Sequence, residues 1–204
     1  MPGIHEQVER SWHQGPAVIR RMKRLVHGLL ISLLICQSTA SQGEDRLVSE
    51  YRIKAAFLYN FSSFVSWPER ASQHNDEFQI CVVGNDPFGE ALNTLSGKSV
   101  SGMPLKIRRL TAGAITDTCQ LVYISESETK RFVRLLGKVR ARPVLTVSDI
   151  DGFAMHGGII RFKLVDNKVR FEINVDAAER AGLKISSKLL SLAIIVSEEK
   201  VNAR

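Results

Sequence analysis

The apolar positions between residues 45 and 66 recur at the three- and four-residue spacing of an amphipathic helix. They are Leu47, Tyr51, Ala55, Leu58, Phe61 and Val65, with Phe57 and Phe64 beside them. Pro68 disfavours helical geometry at Trp67, so this helix is expected to end there. We interpret the aromatic segment AAFLYNFSSFVSWPE mainly as the core-facing side of one helix. A membrane anchor and a partner-binding face are the alternatives.

Short apolar runs that resemble buried strands alternate with helical patterns further along the chain. FQICVVG, LKIRRL, CQLVYIS and PVLTVSD are the predicted strands. A helix is expected after the first of them, with Asp86 as its cap and Pro87 at its first position. Ser125 and Glu128 have the spacing of a capping box, which predicts a helix start within ESETKRFVRLLGKV.

The C-terminal third is predicted to contain a β-hairpin followed by two helices. Ile160, Phe162 and Leu164 alternate with polar residues, as do Val169, Phe171 and Ile173, and the turn residues DNK lie between the two runs. DAAERAGL and SSKLLSLAIIV then predict the two helices. Together these elements predict a single-domain α/β fold with a largely parallel central sheet flanked by helices.

Residues 1–40 differ from the rest and predict an N-terminal extension with a secretory signal peptide, which leaves residues 41–204 as the α/β domain. Four basic residues between Arg20 and Arg24 precede an apolar run of 12 residues, Leu25 to Cys36. Small residues follow, so cleavage is expected near Ala40. The run is shorter than the ~20 residues that span a bilayer, which makes a permanent anchor the weaker alternative.

Two details of this leader stay open. Met22 begins a more typical signal, so residues 1–21 are either an over-extended start or a long charged region. Cys36 is a poor lipidation site, because the large, branched Ile35 precedes it.

Composition and charge fit a globular exported protein. The 204 residues are 44% hydrophobic and 24% charged, with a formal net charge of +7. Residues 41–204 carry 23 basic and 19 acidic side chains, a net charge of about +4. This modest charge gives little support to nucleic acid as a partner.

Export also changes the expected state of the cysteines. Without Cys36 the chain keeps only Cys81 and Cys119, in a compartment where thiols are oxidised. One disulfide is predicted, and two buried free thiols are the alternative.

No set of residues with the spacing of a catalytic or metal site is found in the sequence. It lacks H-E-x-x-H, C-x-x-C and G-x-S-x-G, so an enzyme is not expected and no cofactor is predicted. HGGII could hold a phosphate or simply form a tight entry into a strand. Asp149, Asp151 and Asp166 fall in predicted loops, where solvation is expected.

A small-molecule sensor remains the alternative function. In an open parallel sheet a solute would bind beyond the carboxyl ends of the strands. The candidate crevice residues are Asn85, Asp86, Arg70, His156, Gly157 and Gly158.

Four separated blocks resemble, in their order and spacing, the YfiR-like family of periplasmic regulators. They are KAAFLYNFSSFVSWPE, ICVVGNDPFGEAL, PVLTVSDIDGFAMHGGIIRF and VRFEINVDAAERAGLKISSKLLSLA, and the resemblance extends from about Tyr51 to Val196. It implies an α/β fold, a periplasmic location and a disulfide between Cys81 and Cys119. Some members have a second disulfide, for which this chain has no further cysteines.

The resemblance also implies a partner. The expected role is to bind the periplasmic region of an inner-membrane diguanylate cyclase and repress it, which would lower cyclic di-GMP and biofilm formation. An outer-membrane lipoprotein would relieve the repression, and a homodimer is compatible with this role. We expect the cyclase to contact residues of the C-terminal part, namely Ala178, Gly182, Leu183, Lys184, Lys188 and Leu190. The alternative is that these residues only cover the sheet.

Overall fold

The computed structural model of this protein describes residues 38–68, 76–111 and 118–198, with side chains from Arg46 onward. The chain divides into two units, residues 1–47 and residues 48–204, and the second contains the central sheet. The predicted boundary at Ala40 stays a prediction.

Five helices and ten strands make up the described part of the chain. The helices are α1 (Ser38–Phe64), α2 (Glu90–Asn93), α3 (Phe132–Val139), α4 (Val175–Arg180) and α5 (Ser187–Leu190), with a 3₁₀ turn at Glu126–Glu128. The strands are β1 (Val65–Ser66), β2 (Phe78–Val83), β3 (Ser99–Val100), β4 (Met103–Leu110), β5 (Leu121–Ile124), β6 (Leu145–Ser148), β7 (Ile160–Val165), β8 (Lys168–Asn174), β9 (Lys184–Ile185) and β10 (Ile194–Val196).

Eight strands form the central sheet in the order β10-β8-β7-β6-β5-β2-β4-β3. The five strands β4-β2-β5-β6-β7 run parallel to one another. From β2 the chain moves to β4 on one side and then crosses to β5 on the other, so the strand order reverses between β2 and β5. The predicted fold class is confirmed.

The two faces of the sheet bury different helices because side chains alternate along each strand. Phe78, Ile80 and Val82 of β2 belong to a core cluster that includes residues of α1, α2, α4 and α5. Cys81 and Val83 point to the opposite face, into a second cluster built around α3. The sheet is therefore covered on both faces, as parallel sheets usually are.

The aromatic helix ends earlier than its sequence predicts. α1 stops at Phe64 rather than at Trp67, because Val65 and Ser66 form β1 and pair antiparallel with β9. The interpretation of its aromatic residues as core is confirmed by Phe61, which is fully buried.

The two predicted helix starts at Asp86 and Ser125 are partly wrong. Asp86 accepts a hydrogen bond from the backbone N–H of Phe88 at 2.7 Å, but α2 begins only at Glu90 and has four residues. Ser125 caps the 3₁₀ turn, and α3 begins separately at Phe132. Both side chains close a local turn instead of starting a long helix, as Asp and Ser often do.

The predicted hairpin is confirmed, with Val165 opposite Lys168 across a two-residue turn. Asp166 and Asn167 both have positive φ, 50° and 60°, which the tight turn requires. The second of the two predicted C-terminal helices is wrong beyond Leu190. Residues 194–196 instead form β10, which pairs parallel with β8.

The predicted disulfide between Cys81 and Cys119 is present. Their Cα atoms are 5.9 Å apart, and both residues are buried on the α3 face of the sheet. Cys81 lies within β2 and Cys119 precedes β5, so the bond ties these two neighbouring strands together.

Candidate functional site

A crevice lies beyond the carboxyl ends of the strands where their order reverses. It is an open crevice with a volume of about 530 Å³, and its lining consists of Gly84 and Asn85 after β2, residues 109–111 at the end of β4, Ser127 and Glu128 after β5, and Arg131. In open parallel sheets this is where ligands are bound. We call this cavity the switch-point crevice.

Close packing at Gly84 shapes the inner wall of the switch-point crevice. Gly84 has φ +91°, and a Cβ there would overlap the Ser127 hydroxyl and the Glu128 side chain. The Ser127 hydroxyl accepts a hydrogen bond from the backbone N–H of Asn85 at 3.0 Å. Only glycine lets the loop after β2 approach the turn after β5 this closely.

Charged side chains surround this crevice. Arg109 donates to Asp86 at 2.6 Å and to the side-chain oxygen of Asn93 at 3.2 Å. Arg131 donates to one carboxylate oxygen of Glu128 at 3.1 Å. Glu128 is only 2% exposed, and its other oxygen, Oε2, has no hydrogen-bond partner among the described residues.

A second polar group is buried at the end of the neighbouring strand β6. Asp149 accepts hydrogen bonds from the hydroxyls of Tyr123 at 2.7 Å and Tyr51 at 3.1 Å, and its carboxylate lies 3.0 Å from the ammonium of Lys54. Lys54 also pairs with Glu50. The expectation that Asp149 is solvated is therefore wrong, because residues of α1 cover it.

Burial and this carboxylate act together on the two tyrosines. Burial, and then the charge of Asp149, raise the pKa of Tyr123 far above its ordinary value. The same causes, in the same order, raise the pKa of Tyr51. Both hydroxyls therefore stay protonated and keep donating to Asp149 at neutral pH.

This arrangement predicts a loss of stability at alkaline pH. A tyrosine whose folded-state pKa is raised stabilises the fold fully below about pH 10, its unfolded pKa, and this stability is lost as pH rises further. Tyr123 should contribute a decrease of about 1.4 kcal/mol per pH unit above that point. Urea unfolding between pH 8 and 11 should show a shallower decrease for Tyr123→Phe than for the native protein.

Tyr59→Phe is the matched control, because the Tyr59 hydroxyl bonds the backbone carbonyl of Ser99 at the surface. Its stability should follow the native pH dependence. Equal slopes for Tyr123→Phe and the native protein would contradict the prediction.

Within residues 38–68, 76–111 and 118–198, no helix is both long and apolar enough to cross a membrane. The same residues contain no group of three or more His, Cys, Asp or Glu side chains placed to hold a metal ion.

Comparison with protein families identifies the chain. The model of the YfiR/HmsC-like family matches residues 51–194, well over half of the sequence. The chain belongs to the YfiR/HmsC-like family. This result confirms the resemblance of the four sequence blocks, and the match covers the central sheet as far as the start of β10.

The residues predicted to bind a small ligand lie in separate parts of this YfiR/HmsC-like domain. Asn85 lines the switch-point crevice, and Asp86 lies beside it, bonded to Arg109. Arg70 falls outside the described residues. His156, Gly157 and Gly158 belong to the turn between β6 and β7 and do not line the switch-point crevice.

The glycines of that turn have packing roles. A Cβ on Gly158 would overlap the ring of Phe153, and one on Gly157 would crowd the carboxylate of Glu198. Nδ1 of His156 lies 2.8 Å from the carbonyl oxygen of Gly152 and donates to it in the tautomer that is protonated at Nδ1. These contacts account for HGGII as a tight entry into β7.

The residues predicted to bind a partner divide by burial. Ala178 and Leu183 are 1% and 2% exposed and pack in the core, so they are not accessible to a partner and that part of the prediction is wrong. Gly182, Lys184 and Lys188 are exposed, and Leu190 is half-buried.

An apolar surface that the sequence pattern does not indicate lies in the same region. Leu192, Ile194 and Ile195 are 65%, 44% and 54% exposed. The segment SSKLLSLAIIV predicts a helix here, although the run Ile194, Ile195, Val196 is β-branched and favours a strand. We define the C-terminal surface as the exposed and half-buried residues Gly182, Lys184, Lys188, Leu190, Leu192, Ile194 and Ile195.

Proposed function

We propose that this protein represses a membrane-bound diguanylate cyclase by binding the cyclase's periplasmic region, which lowers cyclic di-GMP and biofilm formation. Membership in the YfiR/HmsC-like family over residues 51–194 is the observation that carries the proposal. On this view the protein acts as a binding partner and not as an enzyme. A lipoprotein of the outer membrane that sequestered it would relieve the repression.

The proposal places the protein in the periplasm after cleavage near Ala40. The basic, apolar and small-residue blocks of residues 20–40 support export. The disulfide between Cys81 and Cys119 supports an oxidising compartment.

We propose the C-terminal surface as the region that contacts the cyclase. Contiguous exposed apolar patches are typical of protein-binding sites. Leu192, Ile194 and Ile195 supply the apolar part, and Lys184 and Lys188 supply positive charge that would suit an acidic partner.

A repressor that catalyses no reaction must act through different affinities for the active and inactive states of its target. It shifts its target toward the inactive state only as far as it binds that state more tightly than the active one. A change from mostly active to mostly inactive needs about 10⁴-fold discrimination, or ~5.5 kcal/mol. An interface of ordinary size can supply this free energy.

Deletion of the gene should raise cellular cyclic di-GMP and increase surface attachment. Leu192→Glu should reproduce part of this rise, because a buried charge at the interface should weaken binding at least ~10-fold. The measurements are cyclic di-GMP by mass spectrometry and biofilm staining, with the variant's level in the periplasm determined by immunoblot.

Val133→Glu is the matched control. Val133 is an exposed apolar residue, 56% accessible, on α3 at the opposite face of the sheet. It should leave cyclic di-GMP at the native level. An unchanged level in the deletion strain, with the candidate cyclase expressed, would refute the proposed function.

A further inference from the structure

We propose that the switch-point crevice binds a small phosphate ester that also carries a primary ammonium group. In this assignment the ammonium donates to Glu128, and the phosphate is held by Arg131 and Arg109. The inference does not depend on the proposed function, since it concerns a ligand and not a protein partner.

The position and size of the crevice favour a ligand. It lies at the carboxyl ends of parallel strands where the strand order reverses, and its volume of about 530 Å³ is within the range of small-molecule sites. Gly84, Asn85 and Ser127 form its inner wall with short side chains or none. Space is therefore left beside the charged groups.

Glu128 determines what the inner end of the ligand must be. It is 2% exposed, and Oε2 is a buried oxygen that accepts no hydrogen bond from the described residues. Leaving a buried carboxylate oxygen without a donor is costly, so such groups call for an explanation. An ammonium provides both the missing N–H donor and the opposite charge.

Arg131 and Arg109 determine what the outer end must be. Both line the crevice, and their side chains are 47% and 44% exposed. Asp86 and Asn93 hold Arg109 in place, whereas Arg131 bonds Glu128 through Nη2. Two guanidinium groups match the charge and the geometry of a phosphate better than those of a neutral group.

The two ends together exclude simpler ligands. A phosphate without an ammonium would leave Oε2 unsatisfied and place two negative groups close together. An amine without an anionic group would form the hydrogen bond to Glu128 but would also lie near two cationic side chains at the entrance. Arg131 bonds the other carboxylate oxygen of Glu128 and is half-exposed, so in this proposal its side chain turns outward to the phosphate as the ammonium reaches the buried Oε2.

Calorimetric titration of the purified protein with phosphoethanolamine tests the proposal. Binding should be saturable at one site, and Glu128→Gln and Arg131→Gln should each weaken it at least ~10-fold, as loss of a charged hydrogen-bond partner does. Glu126→Gln is the matched control, because Glu126 belongs to the same 3₁₀ turn but is exposed and does not line the crevice. It should bind with native affinity.

Phosphocholine is the control ligand, because it keeps the phosphate but has no N–H to donate. To the native protein it should bind at least ~10-fold more weakly than phosphoethanolamine does. To Glu128→Gln the two ligands should bind with equal affinity. Sedimentation with vesicles of phosphatidylethanolamine, compared with phosphatidylcholine, shows whether a lipid headgroup can supply the same pair of charges.

The results would overturn the proposal in either of two cases. One is that neither phosphoethanolamine nor phosphatidylethanolamine vesicles bind. The other is that binding is the same for Glu128→Gln, Arg131→Gln and the native protein. Circular dichroism of each variant confirms that it is folded, and the half-exposed Arg131 keeps the test valid if Glu128→Gln does not fold.

Discussion

Phe61→Ala is expected to lower the free energy of unfolding by about 3–5 kcal/mol, the usual cost of removing a fully buried aromatic side chain. Phe61 is 0% exposed. Its ring centroid lies 5.1 Å from that of Phe171, 5.6 Å from that of Phe162 and 5.8 Å from that of Phe57. The substitution removes contacts between α1 and the β7–β8 hairpin, and urea unfolding measures the loss.

Ile53→Ala is the matched control on the same helix. Ile53 is 46% exposed, so its truncation should change stability by no more than about 0.5 kcal/mol. A Phe61→Ala variant that kept native stability but raised cyclic di-GMP as the gene deletion is proposed to do would show that the aromatic side of α1 is an interface and not core.

The parts of the fold that sequence predicted well are those in which periodicity and local turn chemistry agree. α1 has its aromatic residues at helical spacing, and Phe61 lies in the core as expected. The β7–β8 hairpin combines strict alternation with Asp166 and Asn167, two residues that tolerate positive φ. In both cases the decisive interactions are close in sequence.

The errors arose where distant segments decide local structure. Val65 and Ser66 leave the helical pattern because β9, more than a hundred residues later, pairs with them. Residues 194–196 form a strand because the exposed edge of β8 is available for pairing. Helix periodicity in SSKLLSLAIIV could not reveal that edge, although its β-branched end was a signal for a strand.

The candidate sites depend on the order of strands in the sheet, which cannot be read from local sequence patterns. The sequence pattern indicates Glu128 only as part of a capping box, yet its carboxylate packs beside Gly84 and accepts a hydrogen bond from Arg131. Asp149 was expected in solvent, and only the position of α1 across the sheet brings Lys54 to it. Single residue types in a loop carry no information about such neighbours.

Loss of the Cys81–Cys119 disulfide is expected to lower the free energy of unfolding by about 4 kcal/mol on the chain-entropy model. The bond joins residues 38 positions apart, so breaking it frees a long loop in the unfolded chain. The double variant Cys81→Ala, Cys119→Ala tests this value by urea unfolding. Intact-mass analysis without reduction should find the two cysteines linked in the periplasmic protein.

The two alanines also leave cavities at buried positions, which lower stability in addition to the loss of the disulfide. Reduction of the native protein is the control for this effect, because it breaks the disulfide without creating cavities. Dithiothreitol should destabilise the native protein by a similar amount and should not affect the double variant, because only the native protein has the bond to lose. Free-thiol labelling of both cysteines in the untreated protein would contradict a structural disulfide.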